Sequence, residues 1–248
     1  SAVFKDVGMT LEQASDYKKE LICQKLQLKP MDHLVEIGSG WGGFAIYAAQ
    51  HYGCKVTTIT ISQAQYDEAV KRVEEAGLAH RVDIQLKDYR LLEGKYDKLV
   101  SIEMIEAVGE QYLSTYFKQC RQLLKPKGLA LIQAITIEDA RYEKALKTID
   151  YIKRYIFPGS FIPCISMMTQ AASEQKLRLK HLEDIGQSYA QTLHYWRDAF
   201  LAQREQVLAL GFDEDFIRMW DFYLCYCEGG FKEGVISDVH LLFEASSY

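Results

Sequence analysis

Residues 33–136 alternate short β-branched runs with helical stretches, and this alternation narrows the possible folds more than any other feature. "HLVEIG" (33–38), "KVTTITI" (55–61), "VDIQLKD" (82–88), "YDKLVSIE" (96–103) and "LALIQAIT" (129–136) each read as a strand. Helical patterns fill 42–52, 62–77 and about 110–124, and Pro126-Lys127-Gly128 marks a turn before the last of these strands. A further helix is expected over 10–28, entered through Thr10 as its N-cap. Strands and helices in this order predict an α/β fold with a doubly wound, mostly parallel sheet.

Past residue 138 the texture changes. "YEKALKTIDYIKRYIF", "TLHYWRDAFLAQREQVLALGF" and "FIRMWDFYLCYCEGGF" are helical and aromatic-rich, and "SDVHLLFEAS" reads as a return to the sheet. No linker, repeat or low-complexity segment divides the chain, so residues 1–248 are expected to form one domain. A helical insertion at about 139–185 would cover the carboxyl edge of the sheet, where open α/β folds bind ligands.

Composition limits the functions available. A formal net charge of −5 argues against a general nucleic-acid binder. Lys118, Arg121, Lys125, Lys127, Arg141, Lys144, Lys147, Lys153 and Arg154 nonetheless cluster in one third of the sequence. They read either as solvated helix faces or as a face for an anionic surface such as lipid headgroups. The six cysteines lack paired-motif spacing, which points to reduced thiols and no metal. No signal peptide is expected, and the residues given contain no 18-residue apolar run. The chain starts at Ser1 without Met, so a region N-terminal to it is expected to be missing.

"VEIGSGWGGFA" (35–45) carries the chemistry most directly. An acid closes the first strand, and Gly38, Gly40, Gly42 and Gly43 lead into a helix. Glycines let a backbone turn tightly against a ligand, and the acid can accept a hydrogen bond. A dinucleotide site would want an acid at the end of the second strand, but "TTITIS" has none. The loop therefore resembles the methyltransferase pattern E-x-G-x-G-x-G, which binds S-adenosylmethionine. "TITISQAQ" (58–65) offers Thr60, the Ile61 backbone and Gln65 beside it.

"KDYR" (87–90), "SIEMIEAVG" (101–109), "YFKQCRQLLKPKGLALIQ" (116–133), "YIFPGSFIP" (155–163) and "DFYLCYCEGGFK" (221–232) extend the resemblance almost end to end. The sequence is similar to the cyclopropane fatty-acid synthases and their mycolic-acid relatives, in particular their plant-type subgroup. That resemblance implies a Rossmann-like class I methyltransferase fold. It implies Glu36, Gly38, Gly40, Thr60, Ile61, Gln65, Asp88 and Tyr89 around the cofactor. It also implies a bicarbonate ion as base, held by Glu106, Tyr223, Gln133, the Ile135 amide and Ser1. Here Gln133 stands where many bacterial members have His, Ser1 stands where they have Cys, and Ala107 replaces the usual His of "EHVG". Glu106 reads as an acceptor that orients the ion, while Glu103 has no fixed assignment beyond the cofactor or a helix amine.

The expected reaction is methyl transfer to the cis double bond of an unsaturated phospholipid, closing a cyclopropane ring. A methyl-branched or methylene product is the nearest alternative. An amine N-methyltransferase is a third reading, which the missing His at 107 weakens, and a non-catalytic lipid- or cofactor-binding protein is a fourth. By the same resemblance the protein is expected in the cytoplasm, peripheral to the inner membrane surface, and as a homodimer in its full-length form.

Overall fold

The computed structural model describes residues 1–247. Seven strands, β1 (His33–Ile37), β2 (Lys55–Thr60), β3 (Val82–Leu86), β4 (Tyr96–Ile102), β5 (Leu124–Ile137), β6 (Leu177–Asp184) and β7 (Ile236–Ala245), form one sheet in the order β3-β2-β1-β4-β5-β7-β6. The first five run parallel, with Val35 beside Thr57 on one side and Leu99 on the other. Strand β7 is antiparallel to both β5 and β6. Strand order reverses at β1, and this reversal opens the ligand crevice of a doubly wound sheet.

Both faces are covered, which is why the central strands are apolar on both sides. One face packs against α1 (Leu11–Leu26) and α2 (Gly43–Tyr52) through Ile22, Leu26, Phe44 and Ala48. Thr10 caps α1 as expected, and its capping box with Gln13 is complete. The other face packs against α4 (Leu113–Leu123) and α6 (Ile165–Glu174) through Tyr116, Phe117, Leu123 and Met168. Helix α3 (Gln63–Glu75) links β2 to β3, and α5 (Asp139–Lys147) follows β5. Helices α7 (Gly186–Ala202) and α9 (Glu214–Lys232) pack on each other, and the short α8 (Arg204–Ala209) lies between them in the chain.

The sheet is longer than the sequence suggests. Residues 177–184, expected to be helical, are edge strand β6, with Leu177 buried and most of the strand exposed. One buried leucine in "LRLKHLED" gives a weak two-residue period, and pairing with β7 decides the conformation. The helical insertion is thus shorter, running from α5 through a π-helical turn at Ile152–Ile156 to Pro163. It joins the carboxyl edge through Ile137 N, which donates to Pro163 O at 3.0 Å, and Phe161 N, which donates to Glu106 O at 3.1 Å. The turn expected at 126–128 is a bulge inside β5: Leu124 pairs with Tyr96, and pairing resumes only at Leu129 beside Lys98.

Candidate active site

Two recesses meet at the carboxyl ends of the parallel strands. The first is a cleft of about 430 Å³ beside the glycine loop. It brings together Gly38, Thr60, Ile61, Gln65, Asp88 and Tyr89, six of the eight residues expected at a cofactor. Gly38 has φ +97°, which side-chain-bearing residues rarely adopt, and a Cβ there would stand in ordinary contact, 3.4 Å, with Met104 Cγ. Ile37, Ile59, Met104 and Val108 supply apolar walls. Thr60 Oγ1 donates to Gln65 Oε1 at 2.8 Å, and Arg90 grips the Asp88 carboxylate, with Arg90 Nη2 at 2.6 Å from Asp88 Oδ2. That contact holds the Asp88 pKa below its ordinary value. Apolar walls with a few fixed polar points and a bare backbone edge fit S-adenosylmethionine.

Glu36 and Gly40 do not line the cleft. Glu36 is 2% exposed within β1 and accepts from Thr58 Oγ1 at 2.6 Å, and burial pushes its carboxyl up to about 8. Its position two residues before Gly38 turns its side chain into the sheet layer, where it braces β2. Gly40, with φ +49°, shapes the loop and faces open space.

The second recess is filled by polar side chains. Strand β4 ends at Ile102, and Glu103 then takes φ +51°, a conformation L-residues with side chains rarely hold. A single turn of 3₁₀ helix, Ile105–Ala107, carries Glu106. Glu103 Oε1 accepts from Ser1 Oγ at 2.6 Å and from Gln133 Nε2 at 2.7 Å, and Tyr189 OH donates to Oε2 at 2.6 Å. Gln133 Nε2 also donates to Asp238 Oδ2 at 2.6 Å. Lys18 Nζ, on α1, donates to Ser1 Oγ at 3.1 Å. Glu106 Oε1 accepts from Ile135 N at 2.6 Å, while Glu106 Oε2 is buried with no partner.

Charge is divided unevenly among these carboxyls. Burial opposes ionisation of Glu103, whereas Lys18 and the Ser1 and Tyr189 hydroxyls favour its charged form. Burial and the neighbouring Glu103 charge push Glu106 up to about 8 and raise Asp238 well above its ordinary value.

Among the residues expected to hold bicarbonate, the fold gathers Ser1, Gln133, Ile135 and Glu106 around this recess, together with Glu103. The hydroxyl of Tyr223, on α9, makes no hydrogen bond among the described residues; its ring lies 5.0 Å from that of Trp220. The donor set does not fit a bicarbonate ion. Both amide hydrogens of Gln133, the Ser1 hydroxyl proton and the Ile135 N–H are all directed at the chain's own carboxylates. Asp238 and His240 were absent from the sequence-derived site, although two polar residues inside the apolar run "SDVHLLF" are a readable signal. Tyr189 and Lys18 carry no comparable signal.

A cleft beside the glycine loop at the strand-order reversal, with the antiparallel strand β7 set between β5 and β6, defines a class I methyltransferase fold. The mycolic acid cyclopropane synthetase family matches residues 1–241, and the chain belongs to that family. It is 42% identical over 205 residues to the tuberculostearic acid methyltransferase UfaA1 of Mycobacterium tuberculosis, covering 82% of this chain and 48% of that protein. It is 37% identical over 231 residues to the cyclopropane-fatty-acyl-phospholipid synthase of Escherichia coli K12, covering 93% of this chain and 58% of that protein. The chain thus spans about half the length of these relatives. Among solved structures, the mycolic acid cyclopropane synthase CmaA1 complexed with SAH and CTAB superposes with a TM-score of 0.91 at 26% identity, over 98% of this chain and 88% of that one.

Proposed function

We propose that this chain transfers the methyl group of S-adenosylmethionine to the cis double bond of an unsaturated phospholipid acyl chain and closes a cyclopropane ring. The observation that carries the reading is the adjacency of the two recesses: Met104 lines the cofactor cleft between Glu103 and Glu106. An isolated alkene is a weak nucleophile, so the cleft acts by aligning it with the methyl sulfonium and excluding water. Methyl transfer leaves a positive charge on the second alkene carbon. The ionised Glu103 stabilises it through space, and the nearby rings of Tyr223, Trp220 and Phe157 present π-faces.

Ring closure requires a proton to leave the new methyl group. Its C–H electron pair closes onto the cationic carbon, and the proton passes to Oε2 of Glu106 in the fraction of molecules whose Glu106 carboxyl, raised to about 8, is ionised. No step is assigned to bicarbonate, because the Ser1, Gln133 and Ile135 donors are occupied by the chain. Loss of a proton after a hydride shift would instead give a methylene group. A methyl-branched or methylene product is the second reading, motivated by the 42% identity to a tuberculostearic acid methyltransferase.

The substrate is expected to be reached at a membrane surface. Ile149, Tyr155, Phe157 and Phe222 are each at least half exposed around the insertion, with Lys144, Lys147 and Arg154 nearby in the chain. No helix among the described residues is long and apolar enough to cross a membrane. A homodimer is proposed for the full-length protein by resemblance alone. Incubation with S-adenosylmethionine and dioleoyl-phospholipid vesicles, followed by proton NMR of the lipids, tests the reading. A high-field cyclopropane signal supports it, vinylidene protons select the methylene product, and no methylated lipid overturns it.

A further inference from the structure

The second recess is a cradle whose donors converge on one point, and a side chain of the protein already sits there. Ser1 Oγ, Gln133 Nε2 and Tyr189 OH all reach the Glu103 carboxylate within 2.7 Å. An ion arriving from solvent would find none of these protons free. It would also meet three carboxyl groups, Glu103, Glu106 and Asp238, whose mutual repulsion already disturbs their ionisation.

Two independent features show that the placement is held rather than incidental. Glu103 keeps φ +51°, a conformation costing of order 1 kcal/mol that glycine would adopt freely. The orientation of Gln133 is also fixed from behind. Lys25 Nζ donates to His240 Nδ1 at 2.6 Å, which leaves His240 Nε2 protonated and 3.2 Å from Gln133 Oε1. With its oxygen anchored there, the amide directs both hydrogens at Glu103 and Asp238.

We propose that Glu103 is the resident anion of this site: its carboxylate takes the place of an exogenous bicarbonate, so the protein supplies covalently the charge that faces the cationic intermediate. The catalytic consequence rests on the lipid methyl-transfer reading; the occupancy of the cradle does not.

The test is a titration of the whole chain with ¹³C-bicarbonate, followed by the ¹³C linewidth, alongside turnover in carbonate-depleted buffer. The wild type is expected to show no saturable broadening and no loss of turnover on depletion. Glu103→Gly relieves the backbone and frees the three donors. It should lose about 100-fold in turnover, bind bicarbonate saturably and regain activity as bicarbonate is added. Glu103→Gln keeps the shape without the charge, so it should lose turnover and gain nothing from bicarbonate. Saturable bicarbonate binding to the wild type, or its inactivation by depletion, overturns the proposal. The wild-type titration involves no variant and no lipid, so it decides the question even if Glu103→Gly fails to fold or no lipid is methylated.

Discussion

The cofactor cleft and the carboxylate cradle lie side by side but are built on opposite principles. The cleft is a surface of backbone and short side chains: Gly38 at φ +97° keeps it open, and Ile61 on its rim is 80% exposed. The cradle is a dense polar knot drawn from α1, β4, β5, β7 and α7. A cleft of the first kind works by a bare backbone edge between apolar walls, gathered from the loops that follow β1, β2, β3 and β4. A knot of the second kind works by mutual satisfaction, so the loss of one member exposes the rest.

The largest effect is expected where the cradle meets the chemistry. Glu106→Gln should lower turnover by about 100-fold or more, while SAH affinity, measured by calorimetry, stays close to wild type. An equal loss of affinity would merge the two recesses into one. Gly38→Val should give the opposite pattern, weakening SAH binding by about tenfold or more, because the side chain meets Met104 and the positive φ is strained. A variant with unchanged affinity would remove the backbone edge from the cofactor's contacts.

A smaller effect belongs to the knot itself. Tyr189→Phe takes one donor from a buried carboxylate and should destabilise the protein by about 1–3 kcal/mol in denaturant unfolding. No change would mean that Ser1 and Gln133 satisfy Glu103 unaided. The smallest effect is one of pH. Buried Glu36 is pushed up to about 8, so the folded chain keeps a proton that the unfolded chain releases near pH 4.3. Its contribution is full below the unfolded value and is lost as pH rises to about 8. Melting temperatures of wild type and Glu36→Gln should therefore diverge across that window, with wild type losing more, and run parallel above it. Parallel curves throughout would show that Glu36 is ionised in the fold.

Much of this molecule was legible in the residues. The five parallel strands, the Thr10 cap and the glycine turn follow from local pattern, because each rests on neighbours a few positions away, while the cofactor residues were implied by the family resemblance. Glu36 shows what the motif alone does not reveal: its place suggests ligand contact, and in the fold its carboxyl accepts a hydrogen bond from Thr58 on the neighbouring strand. Strand β6 was hidden because its segment is mostly exposed, and only β7 supplies its conformation.

The sequence by itself determined a doubly wound methyltransferase domain and the position of its cofactor loop. It also placed two acids after the fourth strand without saying what either does. The tertiary structure decided that, because Glu103 meets Ser1 from 102 residues away and Tyr189 from 86 residues away. Whether a carboxylate is anion, brace or proton acceptor depends on which donors surround it, and those donors are brought together only by folding.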